Sequence, residues 1–229
     1  PVREIENMWI PMPDGARLAA RVWLPDDAEA DPVPGLLEFL PYRKSDGTAI
    51  RDALRAPYYA GHGYAVLRVD MRGSGDSDGV LTDEYTTQEH DDAVACIAWI
   101  AAQPWCDGNV GMMGISWGGF NSLQVAARQP PALKALVVIG FTDDRYADDV
   151  HYMGGCVITS QMLSWASVML AYNALPPDPR WVGDRWREMW FERLDGSPPF
   201  VETWLAHQAR DAYWKHGSVG EDYSAIQVP

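Results

Sequence analysis

The sequence predicts an α/β fold built on a mostly parallel sheet of about six strands, followed by a helical insertion. Three observations carry this. From residue 35 to residue 140, short apolar runs alternate with helix-period segments. The pattern Gly114-Ile115-Ser116-Trp117-Gly118 falls where one of those strands hands over to a helix. After Thr142 the texture changes to tryptophan-rich patches broken by prolines. Alternating strands and helices imply parallel strands covered on both faces.

Each element has a local reason. Glu4 to Ile10 and Arg17 to Leu24 read as strands joined by the turn signal Pro13-Asp14-Gly15. Gly35 to Leu40 is an apolar run of buried-strand length, followed by the loop Pro41 to Gly47. Residues 50–60 read as a helix that stops at Gly61-His62-Gly63, and Tyr64 to Asp70 is the next strand. Arg72 to Gly79 is a glycine-rich loop without phosphate-binding spacing or a following P-loop lysine. Thr86-Thr87-Gln88-Glu89 has capping-box spacing and opens a helix whose Val94, Ile97, Ala98 and Ala101 define the expected buried face. Asn109 to Met113 is a strand, a helix runs from the glycine-serine motif to about Arg128, and Leu133 to Ile139 is a further strand. Residues 1–141 therefore read as the core and 142–225 as a helical cap. Residues 226–229 read as the start of another core strand.

Composition excludes several classes. With 229 residues and 47% apolar content, the chain can bury a sizeable core. Eighteen basic against 32 acidic residues leave a formal charge of −14, which repels phosphate backbones and argues against a nucleic-acid partner. Three scattered cysteines, Cys96, Cys106 and Cys156, suit neither a disulfide scaffold nor a metal site and point to reduced thiols in a cytoplasmic protein. No apolar run reaches the roughly 18 residues of a membrane span, and no signal-peptide core is present. No cofactor or metal is expected.

The chemistry centres on Ser116. In a G-x-S-x-G turn between strand and helix, the serine is forced into strained backbone angles, and side chains at 114 and 118 would collide with neighbouring backbone. This is the nucleophile elbow of α/β-hydrolases, and it presents the serine oxygen at a helix N-terminus that favours an oxyanion. The backbone N–H of Trp117 is the natural first oxyanion donor. A second is expected from the loop Pro41 to Gly47, where the Tyr42 hydroxyl can donate without ionising. The later tryptophans, among them Trp165, Trp181, Trp186, Trp190, Trp204 and Trp214, either build a thin cap core or line a substrate pocket.

Three segments together resemble a known group: Pro41-Tyr42-Arg43-Lys44, Asp70 to Ser77, and Gly114 to Gly119. They are similar to the cocaine-esterase / X-prolyl dipeptidyl-peptidase group of α/β-hydrolases, which includes α-amino-acid ester hydrolases and some β-lactam acylases. The resemblance continues through Asp143 to Asp149 and Met153-Gly154-Gly155. It implies an oxyanion hole of a tyrosine hydroxyl and a backbone N–H, matching Tyr42 and Trp117, with a helical cap over the acyl pocket. It implies a pocket aromatic at Trp165. It also implies an ammonium-binding carboxylate at Asp149 or its neighbour Asp148, although such an acidic run is ordinarily a set of caps and solvated charges. The expected reaction is hydrolysis of a small ester or amide through an acyl-enzyme. X-Pro dipeptidyl-peptidase, amino-acid ester hydrolase and inactive-fragment readings stay open.

A triad of this fold runs Ser, then Asp or Glu, then His. The resemblance puts the last two beyond the cap, where this sequence stops at Pro229. His62, His90, His151, His207 and His216 read as ordinary, partly exposed histidines, not as a relocated base. Without a neighbour, the strand Leu133 to Ile139 would expose an unpaired edge. The expectation is a fragment, or a chain whose sheet and triad are completed by a second chain or a missing C-terminal part.

Overall fold

The computed structural model describes residues 1–229. A mixed six-stranded sheet forms its centre, ordered β1-β2-β4-β3-β5-β6. The strands are β1 (Val2–Pro11), β2 (Arg17–Pro25), β3 (Val33–Leu40), β4 (Ala65–Asp70), β5 (Cys106–Ile115) and β6 (Leu133–Ile139). β1 and β2 form an antiparallel hairpin, and β2 also runs antiparallel to β4. The other pairings, β3 with β4, β3 with β5 and β5 with β6, are parallel. The expected succession of strands and helices along the core and the strand number hold, and the fold is a mostly parallel α/β sheet.

Helices α1 (Ala49–Gly61), α2 (Thr87–Ala101) and α3 (Trp117–Ala126) are the crossovers. α1 packs Ala56 and Ala60 against Trp23 and Val66 on one sheet face, while α2 and α3 close the main core on the other. Two details of α2 differ from expectation. Its buried face is Ala93, Cys96, Ile97 and Ile100, whereas Ala98 is exposed and Val94 only half-buried. The small alanines matched several helical faces, and the contacts with β5 and α3 selected one. The Thr86 hydroxyl caps the Glu89 N–H at 3.2 Å as expected, but the Glu89 carboxylate turns inward to other donors instead of closing the box.

Residues 142–225 are mostly helical: α4 (Thr159–Asn173), α5 (Pro179–Val182), α6 (Trp186–Gly196), α7 (Phe200–Ala206) and α8 (Ala212–His216). A small antiparallel hairpin of β7 (Tyr152–Met153) and β8 (Cys156–Val157) precedes them, so the segment is not purely helical. Glycine at 154 and 155 adopts positive φ and permits this tight turn.

The glycine-rich loop after β4 serves as a docking platform for this helical segment. Asp70, fully buried, accepts the Lys44 backbone N–H at 2.7 Å and the Asp76 N–H at 3.2 Å. A Cβ on Gly75 would sit 1.9 Å from an Asp70 carboxylate oxygen, so only glycine lets the loop wrap so closely. Arg193 of α6 reaches down to the Gly75 and Ser77 carbonyls at 2.8 and 2.6 Å. Asp76 joins a buried ion pair with Lys44 at 2.8 Å and accepts the Asp178 N–H at 2.8 Å.

The β6 edge is not bare. The Leu136 N–H donates to the Pro229 carbonyl at 2.9 Å, so the last residues lie alongside it, without forming a regular strand. On the α1 face, Leu36, Met113, Ala135 and Val137 line an apolar groove of about 330 Å³. Val137 is 57% exposed there, and Ile139, further along β6, is 54% exposed. No helix is long and apolar enough to cross a membrane. All three cysteines are free thiols.

Substituting Asp76→Ala leaves the Lys44 ammonium buried without its partner. The expected loss is about 3–5 kcal/mol in urea-unfolding free energy; a change below about 1 kcal/mol would show that the pair carries little of the docking.

Candidate active site

Ser116 sits between β5 and α3 at φ 58° and ψ −120°, a region non-glycine residues rarely enter. Its N–H donates to the Ile139 carbonyl at 2.9 Å, and its carbonyl accepts the Gly119 N–H at 2.7 Å. These bonds fix both sides of the strained residue. The neighbouring glycines are required by space, not by their own dihedrals. A Cβ on Gly114 would lie 2.3 Å from the Gly118 carbonyl carbon, and one on Gly118 would lie 2.7 Å from Leu40 Cδ2. Pressed together in this way, the chain leaves Ser116 exposed while Trp117 behind it is buried.

Tyr42 lies in the loop after β3, half-buried beside Ser116. Burial pushes its phenol up to about 12, while the nearby Ser116 side chain and Trp117 backbone N–H act in the opposite direction. The phenol therefore stays protonated through the physiological range. The serine hydroxyl, a backbone N–H and a neutral phenol thus lie near one another. Such an arrangement can hold a nucleophile next to two donors for a developing oxyanion.

An aromatic wall surrounds Tyr42. Trp117 packs edge-on at 6.5 Å and Trp165, from α4, at 6.2 Å, with Tyr172 at 6.2 Å. Trp165, the aromatic that the resemblance placed at the pocket, thus packs on the Tyr42 ring. Its indole N–H donates to Glu84 Oε1 at 2.5 Å.

Residues 14–229 match the family described as X-Pro dipeptidyl-peptidase (S15 family). The chain belongs to that family. It is 35% identical over 165 residues to the cocaine esterase of Rhodococcus sp. (strain MB1 Bresler), an alignment covering 71% of this chain and 28% of the esterase. A CocE/NonD family hydrolase from Staphylococcus aureus superposes with a TM-score of 0.77 at 23% identity, covering 99% of this chain and 40% of that one. A selenomethionine-labelled α-amino acid ester hydrolase gives 0.68 at 22% identity, covering 96% of this chain and 40% of that one. These structures share the fold. The alignments cover between 26% and 35% of the curated relatives that this S15-family chain matches.

Sequence reasoning missed the charged cluster behind the aromatic wall. Glu84, buried, pairs with Arg145 at 2.9 Å and with His151 Nε2 at 2.9 Å. His151 is therefore not the partly exposed histidine expected; its side chain is fully buried. Asp149, expected to bind a substrate ammonium, lies 3.2 Å from His151 Nδ1. These are ion-pair distances, with neither ring nitrogen in hydrogen-bond alignment. His90 is also buried, against expectation, with Nε2 2.7 Å from Gln124 Oε1. His62 bonds the Tyr58 carbonyl, His207 pairs with Asp211, and His216 stacks on His90. Nothing local marked Glu84 as buried, because an acidic pair before a capped helix ordinarily faces water. The aromatic and cationic groups that cover it come from residues 61 or more positions away.

Glu89 is the second buried carboxyl. It accepts the Trp117 indole N–H at 2.8 Å, the Asn121 side-chain amide at 3.1 Å and the Tyr85 N–H at 2.7 Å. Burial nevertheless pushes its carboxyl up to about 8. A cavity of about 380 Å³ lined by His90, Gln124 and His216 does not include Ser116.

Burial disfavours the charged form of His151, but Glu84 and Asp149 outweigh it and hold the ring's pKa at about 9. A folded-state pKa above the unfolded value near 6.5 adds stability that is complete below about pH 6.5 and is lost as pH rises through 9. Urea unfolding of wild type between pH 6.5 and 9.5 should show this fall, and His151→Gln should flatten it. An equally steep fall in the variant would remove His151 as its source.

Proposed function

We propose that this chain carries the nucleophile and oxyanion-binding part of a serine hydrolase that acts on carboxylic esters or amides, with esters the leading class. One observation carries the reading: exposed Ser116, held at positive φ at the N-terminus of α3, has the Tyr42 phenol close to it and to the Trp117 N–H. Ser116 Oγ attacks the acyl carbon, and the carbonyl π electrons move to oxygen. That oxyanion takes hydrogen bonds from Trp117 N–H and Tyr42 O–H, aided by the N-terminus of α3. Collapse expels the alcohol or amine and leaves an acyl-serine, which water hydrolyses. Because its phenol is pushed up to about 12, Tyr42 donates a hydrogen bond without surrendering its proton.

The attack also requires a base to take the Ser116 proton and return it to the leaving group. The five histidines of this chain are engaged elsewhere, and His151 is charged and ion-paired. We place the base and its acidic partner on polypeptide that completes the sheet beside β6, either further along the chain or on a second chain. The helical segment 142–225 acts as the cap, and Trp165 forms the pocket wall nearest Tyr42. The free thiols of Cys96, Cys106 and Cys156 fit a reducing, cytoplasmic setting.

Similarity to a cocaine esterase at 35% identity favours esters. The family description favours a second reading, release of X-Pro dipeptides. That chemistry captures a free amino terminus, and Asp149, the carboxylate expected to bind an ammonium in an amino-acid ester hydrolase, lies against His151 instead. Rates on short acyl esters against X-Pro amides separate the two.

Intact mass after fluorophosphonate treatment tests the serine directly. A single adduct is expected in wild type and none in Ser116→Ala. Tyr42→Phe should slow labelling by about 10²–10³-fold, the range for loss of one oxyanion donor. No adduct on folded wild-type chain would make it an inactive part by itself, and an unchanged rate in Tyr42→Phe would remove the phenol from the oxyanion site.

A further inference from the structure

We infer that Glu84 and Glu89 are a matched pair of positioning residues for the Tyr42 hydroxyl, each acting through one tryptophan. The importance of that hydroxyl rests on the serine-hydrolase reading above; the geometry of the pair does not.

The Tyr42 ring is held edge-on between Trp117 and Trp165, at 88° and 76°. Edge-on packing is weakly directional, so each neighbouring ring orients Tyr42 only if it is itself fixed. Both are fixed in the same way. The Trp117 indole N–H donates to Glu89 and the Trp165 indole N–H to Glu84, at 2.8 and 2.5 Å. The two glutamates come from one short stretch, the loop before α2 and its first turn, and each is only 3% exposed. Each is in turn tied down: Glu84 by Arg145 and His151, Glu89 by Asn121 and the Tyr85 N–H.

Simple satisfaction of an indole N–H does not need a buried carboxylate. Trp190 and Trp214, whose rings do not pack on Tyr42, donate to the Ala174 and His207 carbonyls. Trp23 and Trp204 donate to Glu4 and Asp83, carboxylates that keep contact with solvent. Fully buried carboxyl acceptors occur only at the two tryptophans flanking Tyr42. Burying a carboxyl group is costly whether it stays ionised, as Glu84 does beside Arg145 and His151, or is driven toward its protonated form, as Glu89 is, and here that cost falls where ring orientation sets the position of an oxyanion donor.

The test uses chain labelled with 3-fluorotyrosine, with the residue-42 fluorine line assigned by its loss in Tyr42→Phe. Glutamine offers one acceptor oxygen where each glutamate now uses two, so Glu84→Gln and Glu89→Gln should each shift or broaden that line in a folded chain. Each should also slow fluorophosphonate labelling about tenfold, a coupling of ordinary size within one network. In a Trp165→Phe background, Glu84→Gln should add nothing further, and the same should hold for Glu89→Gln in Trp117→Phe. An unmoved line, or a Glu84→Gln shift of equal size without the Trp165 indole, overturns the inference; the latter would mean that the charge acts on Tyr42 directly. If a glutamine variant fails to fold, Trp165→Phe and Trp117→Phe alone must still move the line. Wild-type chain that takes no phosphonate would count against the serine reading, and the fluorine lines would still decide the role of the pair.

Discussion

The first turn of α3 lies so close to the end of β5 that no Cβ fits at Gly114, and the rest of the site follows from that contact. With Gly118 backbone pressed against the strand, Ser116 has no room for an ordinary turn and takes positive φ. The strain costs about 1–3 kcal/mol. It is sustained by the bond from the Ser116 N–H to the Ile139 carbonyl and by the Trp117 side chain, which reaches into the core to Glu89. Loss of the close approach would relax the serine into the turn and separate it from both donors.

A second set of constraints joins the helical segment to the sheet, and it is made largely of buried charge. Asp76 and Asp70 organise the loop after β4, and Arg193 and the Asp178 N–H dock on that loop from above. Glu84 receives Arg145, His151 and Trp165, all from beyond β6. Paired buried charges contribute little net stability compared with apolar packing, but they penalise every alternative placement. The seam therefore fixes where the segment sits more than how strongly it adheres. Trp165 is the point where the seam meets the site.

Most of the fold was legible because its signals are local. Strand-length apolar runs, Gly61-His62-Gly63 and the glycine-serine motif each define an element without reference to its neighbours, and all six strands appear where the pattern places them. The strand-to-helix placement of Ser116 and Trp117 and the loop placement of Tyr42 were legible for the same reason, whereas Trp165 was singled out only through resemblance. The face of α2 was not, since Ala93 and Ala98 are interchangeable in a helical pattern until β5 and α3 choose between them. Glu84, Glu89 and His151 were not legible either. Their burial depends on Arg145, Trp117 and Trp165 arriving from other parts of the chain, and a charged side chain carries no local sign of what will cover it.

The most direct test of the central claim is a crystal structure of the chain after reaction with a phosphonate that mimics the tetrahedral intermediate. The account predicts phosphorus bonded to Ser116 Oγ, with its non-bridging oxygen about 2.7–3.1 Å from both the Trp117 nitrogen and the Tyr42 hydroxyl. An adduct whose oxygen points away from Tyr42, or a Ser116 that relaxes to negative φ once modified, would contradict it.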